Sequence, residues 1–280
     1  MHRAAFGAVD VVRQARTQGR GIGAFNVVLL EHAEAIVAGA ERAGLPVVLQ
    51  ISQNCVAYHG AFEPIALATL SLARSAAVPV AVHLDHAEDV DLVHEAVAVG
   101  VRSVMYDGSR LPYDENVAAT RAVVEHCHEH GVVVEAELGE VGGKDGVHAP
   151  GVRTDPAEAA AFVAATGVDS LAVAVGTSHA MTERVARVDV ELIASLADAL
   201  DVPLVLHGSS GLSDEELQRA VQAGMTKVNI STHLNKLFTQ AVRESLDAPQ
   251  PPVDPRRYIA PGREAVASEV ERIMRLLANG

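Results

Sequence analysis

The sequence contains no tryptophan, and aromatic residues make up only 3% of its 280 positions. Single-stranded nucleic acid is commonly held by stacking bases on aromatic side chains, so that platform is missing. Positive charge is also scarce. Lys plus Arg number 22 against 36 Asp plus Glu, a formal net charge of −14. Phosphate-backbone binding needs clustered cations, so nucleic acid is excluded as an expected partner. The two cysteines, Cys55 and Cys127, stand far apart and make no metal or redox motif. No uninterrupted apolar stretch of about 18 residues is present, so no membrane partner is expected. Met1–Gly23 has no apolar run of the kind a signal peptide carries, and a cytoplasmic location is expected.

What is abundant is aliphatic. Hydrophobic residues reach 49%, ample for a large core. They concentrate in eight short runs: Ile22–Asn26, Pro46–Ile51, Val78–Leu84, Val101–Tyr106, Val132–Leu138, Val168–Val175, Val202–His207 and Met225–Ile230. Near-continuous Val/Ile/Leu runs predict strands buried on both faces. Between them lie helical patterns at Glu31–Ala43, Glu88–Val99, Asn116–His130, Asp155–Thr166, Asp189–Leu200 and Ser213–Ala223. Ser213 with Glu216 three residues on makes a capping box, and Asp155-Pro156 places a cap before a first-turn proline. Gly44, Gly100, Gly131, Gly167 and Gly224 each follow a helical pattern, where a left-handed residue ends a helix.

Eight strand–helix units predict an α/β fold of the (β/α)8 type, a TIM barrel, as a single domain over residues 1–280. An open doubly wound sheet is the rival, but Ile22–Asn26 is not followed by a glycine-rich dinucleotide fingerprint. Pro249–Pro252 reads as a linker before an extra C-terminal helix, Arg263–Leu277, packed on the outside of the barrel.

Chemistry in such a barrel sits where strands end. Those ends carry Asn26, Ser52, His83 to His86, Asp107, Glu135 and Glu137, Thr177 to His179, His207 to Gly211, and Asn229 to Thr232. The strand beginnings Val78, Val132, Val168 and Val202 are apolar. Three histidines, His86, His179 and His207, fall at three strand ends, and three imidazoles with an open position form a catalytic zinc arrangement. A lone histidine is more often a satisfied core or surface group; three at one rim reverse that balance. Asp85, beside His86, is a candidate proton carrier or an orienter of the histidine. Asp107 and Glu137 are candidates for an alternative metal position or for an internal hydrogen-bond network. Glu135 shares the parity of Glu137 and points the same way along its strand. His126 and His130 share a helix face and form a weaker metal candidate. Gly208–Gly211 and Asn229–Thr232 lie at the two loops that commonly hold phosphate in these barrels, the second opening a helix.

These segments resemble one family, the class II metal-dependent ketose-bisphosphate aldolases, nearest its fructose- and tagatose-bisphosphate branch. The matching stretches include Ala24–Asn26, His83–His86, Ser103–Ser109, Val134–Gly139, Gly176–His179, Leu204–Gly211, Lys227–Ile230 and Asp254–Tyr258. The resemblance implies a zinc ion on His86, His179 and His207, with Asp107 and Glu137 holding the metal in an alternative position. It implies that Asp85 handles the proton of the C4 hydroxyl. It places the phosphate and backbone of dihydroxyacetone phosphate on Gly208, Ser210, Asn229, Ser231 and Thr232, with Na+ or K+ nearby. Asn26 and Ser52 are expected to reach the substrate. It further implies a homodimer or homotetramer acting on a phosphorylated sugar.

Three departures from the family pattern stand out. Ala180 replaces a glycine, and Met181–Arg184 replaces a Tyr/Lys-containing stretch. The loop Gly139–Arg153, expected to be a mobile lid, reads Gly142-Gly143-Lys144-Asp145-Gly146 and lacks the family's Glu. Arg256, Arg257 and Arg263 are all candidates for the distal phosphate. Within the class, the rival substrate is another sugar phosphate, such as 6-phospho-5-dehydro-2-deoxygluconate. Lys227, expected to point into the barrel, would serve a Schiff-base aldolase. A metal-dependent hydrolase is the third alternative, although strand one ends in Ala24-Phe25-Asn26 rather than His-x-His. A non-enzymatic binding protein is the fourth.

Overall fold

The computed structural model describes residues 8–139, 153–177 and 186–279. Its eight parallel strands pair in chain order, and the last closes on the first. They are β1 (Ile22–Asn26), β2 (Val47–Ser52), β3 (Val80–Ala87), β4 (Ser103–Tyr106), β5 (Val133–Leu138), β6 (Ser170–Val173), β7 (Leu204–Leu206) and β8 (Met225–Ile230). Closure brings Ala24 beside Asn229, and the β1–β2 pairing sets Asn26 beside Gln50. The expected (β/α)8 barrel is therefore the fold.

The helices in chain order are α1 (Ala8–Thr17), α2 (Leu30–Ala43), α3 (Gln53–His59), α4 (Glu63–Ser75), α5 (Val90–Val99), α6 (Tyr113–Glu129), α7 (Pro156–Thr166), α8 (Val190–Ala199), α9 (Asp214–Gln222), α10 (Thr232–Leu246) and α11 (Pro255–Ala278). Local chemistry sets many of their ends. The Asp155 side chain accepts from Ala157 and Glu158 N–H, and Ser213 accepts from Glu216 N–H. The glycines marked as helix stops all have positive φ.

Three helices went beyond the patterns read from the sequence. α1 lies beneath the barrel, where Val11 and Ala15 pack on Ile22, Ala24, Val48 and Ala81. α3 and α4 both fall between β2 and β3. The final helix also starts earlier than Arg263, at Pro255, capped by Asp254 and running through Pro261. An internal proline removes a hydrogen bond; burial of Val266, Val270, Ile273, Met274 and Leu277 outweighs that loss. Gly39 on α2 makes the contact close enough, since a Cβ there would lie 2.5 Å from the Ala267 carbonyl oxygen. No helix among the described residues is long and apolar enough to cross a membrane.

Candidate active site

The C-terminal strand ends surround a cleft of about 670 Å3. Ten of the expected site residues line it: Asn26, Ser52, Asp85, His86, Asp107, Gly208, Ser210, Asn229, Ser231 and Thr232. His207 and Glu137 lie beneath the lining, fully buried. His179, Ala180–Arg184 and nearly all of the Gly139–Arg153 loop lie outside the described residues.

His86 owes its direction to a local irregularity. The β3–β4 register shifts between Leu84 and Ala87, and His86 takes φ 49°, the only positive φ at a non-glycine among the described residues. Such backbone is costly for a side chain and concentrates at functional sites. The turn sets His86 Nδ1 at 2.7 Å from Asp107 Oδ2. Asp107 Oδ1 accepts from the Ser109 hydroxyl at 2.6 Å, which fixes the carboxylate. The His86 and His207 rings meet edge to face with centroids 4.6 Å apart.

Two donor groups result. Asp85, His86 and His207 bring ligand atoms within 4.8 Å of one another, and so do His86, Asp107 and Glu137. Mixed imidazole and carboxylate donors suit zinc and other divalent first-row ions, so the residues present fit a catalytic metal. Charge supports the same conclusion. Burial alone would lower the His86 pKa, but Asp85, Asp107 and Glu137 outweigh it and raise it to about 9. That pocket attracts a cation, and a metal would displace the proton. Burial pushes Asp85 up from its ordinary value, opposed by His86 and Lys227.

Across the cleft, Gly208 adopts the left-handed conformation (φ 68°) and starts a tight turn over Ser209–Gly211. The Ser209 hydroxyl donates to the Asn229 carbonyl, tying the β7 turn to β8. Ser210 Oγ accepts from His233 N–H at 3.3 Å, on the first turn of α10. Ser231 caps that helix without using its side chain, so its hydroxyl is not committed to the backbone there. Backbone N–H groups at a helix start, with hydroxyls beside them, form an anion site.

Some residues of the cleft were not anticipated. Gln50 donates to Asn26 Oδ1 at 2.7 Å, while its own Oε1 is buried without a hydrogen-bond partner among the described residues, as is Asn229 Oδ1. Gln50 was legible, since it shares the parity of Ser52 on β2. Tyr58 and Arg110 also border the cleft. Arg110 is its only arginine among the described residues. Arg256 pairs with Asp254 and Arg263 with Glu34, and neither of them nor Arg257 lines it. Ser52 proves to have a structural duty, because its Oγ accepts from Cys55 N–H and starts α3.

Lys227 does point inward, as expected, but it lies at 2.8 Å from Glu135 Oε2 and does not line the cleft. An ion-paired ammonium away from the substrate space makes a poor Schiff-base nucleophile. His126 stacks between His94 and His130 outside the barrel, and these three do not converge on a common metal position among the described residues.

A closed (β/α)8 barrel with imidazole–carboxylate donors facing an anion cradle defines a metal-dependent enzyme of this fold. The family model of class II fructose-bisphosphate aldolases matches residues 8–280, and the chain belongs to that family. A fructose-bisphosphate aldolase of Geobacillus stearothermophilus is 38% identical over 270 residues, covering 95% of this chain and 94% of the relative. The crystal structure of the YdjI aldolase of Escherichia coli K12 is 32% identical, with TM-score 0.84 and 98% of both chains covered. A fructose-bisphosphate aldolase of Campylobacter jejuni, 23% identical with TM-score 0.77 over 99% of this chain and 100% of its own, shares the fold. The protein is thus a class II aldolase, a lyase acting on a carbon–carbon bond.

Proposed function

We propose that the chain reversibly cleaves fructose 1,6-bisphosphate or tagatose 1,6-bisphosphate into dihydroxyacetone phosphate and glyceraldehyde 3-phosphate, using zinc. The observation that carries this is the pairing, in one cleft, of two donor groups sharing His86 with the Gly208–Ser210 and Ser231–Thr232 cradle opposite.

His86, His207 and His179 would hold the ion, with Asp107 and Glu137 as the alternative donors. A bound divalent cation supplies Lewis-acid polarisation of a ketone oxygen. The remaining work belongs to the chain itself. Asp85 takes the proton from the C4 hydroxyl in the cleavage direction and returns it in condensation. Burial raises its pKa from the ordinary carboxylate value, the direction that helps a carboxylate accept a proton. Asn229 Nδ2 donates to Asp85 Oδ1 at 3.4 Å and holds the carboxylate toward the cleft. Gly208, Ser210, Ser231 and Thr232 bind the phosphate of the ketone half through N–H and hydroxyl groups. Asn26, Gln50 and Ser52 line the wall along which the sugar hydroxyls lie. Arg110 at the mouth receives the distal phosphate. Na+ or K+ beside the cradle, a homodimer or homotetramer, a single catalytic domain and a cytoplasmic setting complete the reading.

The test is a retro-aldol assay with fructose and tagatose bisphosphates and their monophosphates, before and after chelation. Cleavage of a bisphosphate that chelation abolishes and zinc restores is expected. Full activity after exhaustive chelation, or no cleavage of either bisphosphate by the zinc-loaded enzyme, would refute it.

A further inference from the structure

Beneath the lining of the cleft, three strands bring together a cluster of buried polar side chains. β8 supplies Lys227, β5 supplies Glu135, and His207 follows β7. Lys227 Nζ donates to Glu135 Oε2 at 2.8 Å. Glu135 Oε1 lies 3.1 Å from His207 Nε2. The other nitrogen of the same ring, Nδ1, lies 3.4 Å from Glu137 Oε2. All of these side chains are at most 2% exposed.

A buried ion pair is a poor device for stability alone. Desolvating two charges costs several kcal/mol per ion, and apolar replacements are often neutral or stabilising. The pair at Lys227 and Glu135 therefore calls for another explanation, and its geometry offers one. Lys227 occupies one carboxylate oxygen and leaves the other as a hydrogen-bond acceptor against His207. Accepting there requires the proton of the neutral ring to sit on Nε2. The lone pair is then on Nδ1, the nitrogen that faces Glu137, one of the candidate metal donors. A histidine ligand is commonly oriented in this way, by a carboxylate on its second nitrogen.

We propose that Lys227 and Glu135 are positioning residues that set the tautomer and ring angle of His207 and thereby tune metal affinity. This rests on the reading of His207 as a metal ligand. Glu135 and Glu137 then flank one imidazole with opposite duties, although they sit two residues apart on one strand with the same parity. Neither Lys227 nor Glu135 lines the cleft; both border a separate cavity of about 30 Å3 between α1 and the strands. His83 completes the surroundings. Its Nδ1 lies 2.7 Å from Ser103 Oγ, and its Nε2 lies 3.5 Å from Lys227 Nζ.

The test separates positioning from folding. Glu135→Leu alone leaves a buried ammonium, so the informative protein is Lys227→Met/Glu135→Leu, in which both charges and the acceptor facing His207 go together. Co2+ is titrated into the full-length metal-free chain, with its visible spectrum and a competing chelator as readouts and thermal unfolding as the control. The double variant is expected to unfold near the parental temperature, bind Co2+ about 10–100-fold more weakly, and show a changed ligand-field spectrum. His207→Ala is measured alongside. If His207→Ala loses the ion while the folded double variant keeps parental affinity and spectrum, the positioning role is overturned and the metal reading stands. If His207→Ala itself binds Co2+ like the parent, both fall. If the double variant is too unstable to fold, the pair serves stability and the proposal is overturned.

Discussion

At its floor the barrel is closed by α1, whose Val11 and Ala15 press on Ile22, Ala24, Val48 and Ala81. At the opposite mouth the same strands run out into Asn26, Ser52, Asp85, Asp107 and Asn229 around an open cleft. The floor needs only volume and apolarity, so any well-packed set of small aliphatic side chains would serve. The mouth depends on individual atoms, such as an imidazole turned by a left-handed backbone and a carboxylate pinned by a serine. Between the two lies the Lys227–Glu135 pair, buried like the floor but polar like the mouth. A change at the mouth should therefore alter chemistry at nearly constant stability, and a change at the floor should do the reverse.

The sharpest break is expected at Asp85. Asp85→Ala should keep its zinc and lose turnover by about a hundred- to ten-thousand-fold, the usual contribution of a general acid–base group. Metal analysis beside steady-state kinetics checks this. Metal loss in step with rate would make Asp85 an orienter of His86 instead.

The cradle comes next. Charge-assisted hydrogen bonds contribute on the order of 1.5–3 kcal/mol, so Ser210→Ala or Thr232→Ala should raise KM for dihydroxyacetone phosphate by roughly ten- to a hundredfold. The preference over unphosphorylated dihydroxyacetone should narrow with it. Mutants that leave both quantities unchanged would reduce the cradle to two Gly/Ser turns.

Acidity offers a third comparison. In the metal-free protein the His86 pKa is raised to about 9 from 6.5. A raised histidine pKa contributes stability that is fully present below about 6.5 and is lost as pH rises through about 9. Metal binding displaces that proton, so apparent affinity should climb up to about tenfold per pH unit between 7 and 9 and then level off. Chelator competition at several pH values reads this. A flat profile would show that His86 is already neutral before the metal binds.

The smallest effect belongs to the floor. Val11→Ala should cost roughly 1–2 kcal/mol of stability through lost burial and a residual cavity. Below its lowered unfolding temperature, kcat/KM should match the parent. Lost activity in the folded variant would mean that floor and mouth are coupled.

Much of this molecule was legible in its sequence because strand and helix periodicities are local properties. Both-face-buried strands make Val-rich runs, and left-handed helix ends demand glycine, so Gly44, Gly100 and Gly167 marked their helix stops correctly. Strand ends were legible to within a few residues, which set His86, His207, Asp85, Asp107 and Glu137 at one rim, while His179 lies outside the described residues. Parity alone turned Glu135, Glu137 and Lys227 inward. α1, α3 and α4 were less legible because they break the one-strand, one-helix alternation: α1 precedes β1, and α3, only seven residues long, shares the β2–β3 interval with α4. The early start of α11 was hidden by Pro261, whose local penalty only tertiary burial could offset.

By itself, then, the order of residues determined which side chains could meet, since parity and strand position follow from backbone geometry. It could not determine what each would touch. Glu135 and Glu137 look equivalent along β5, yet depth in the barrel puts one against Lys227 and leaves the other beside the metal donors. Ser52 stands at a strand end like its neighbours, yet helix α3 claims its oxygen. Arg110 stands in the loop after β4, three residues past Asp107, and only the folded barrel shows that its side chain borders the cleft. Those assignments belong to the tertiary structure, because hydrogen bonds and desolvation depend on distances between strands far apart in the chain.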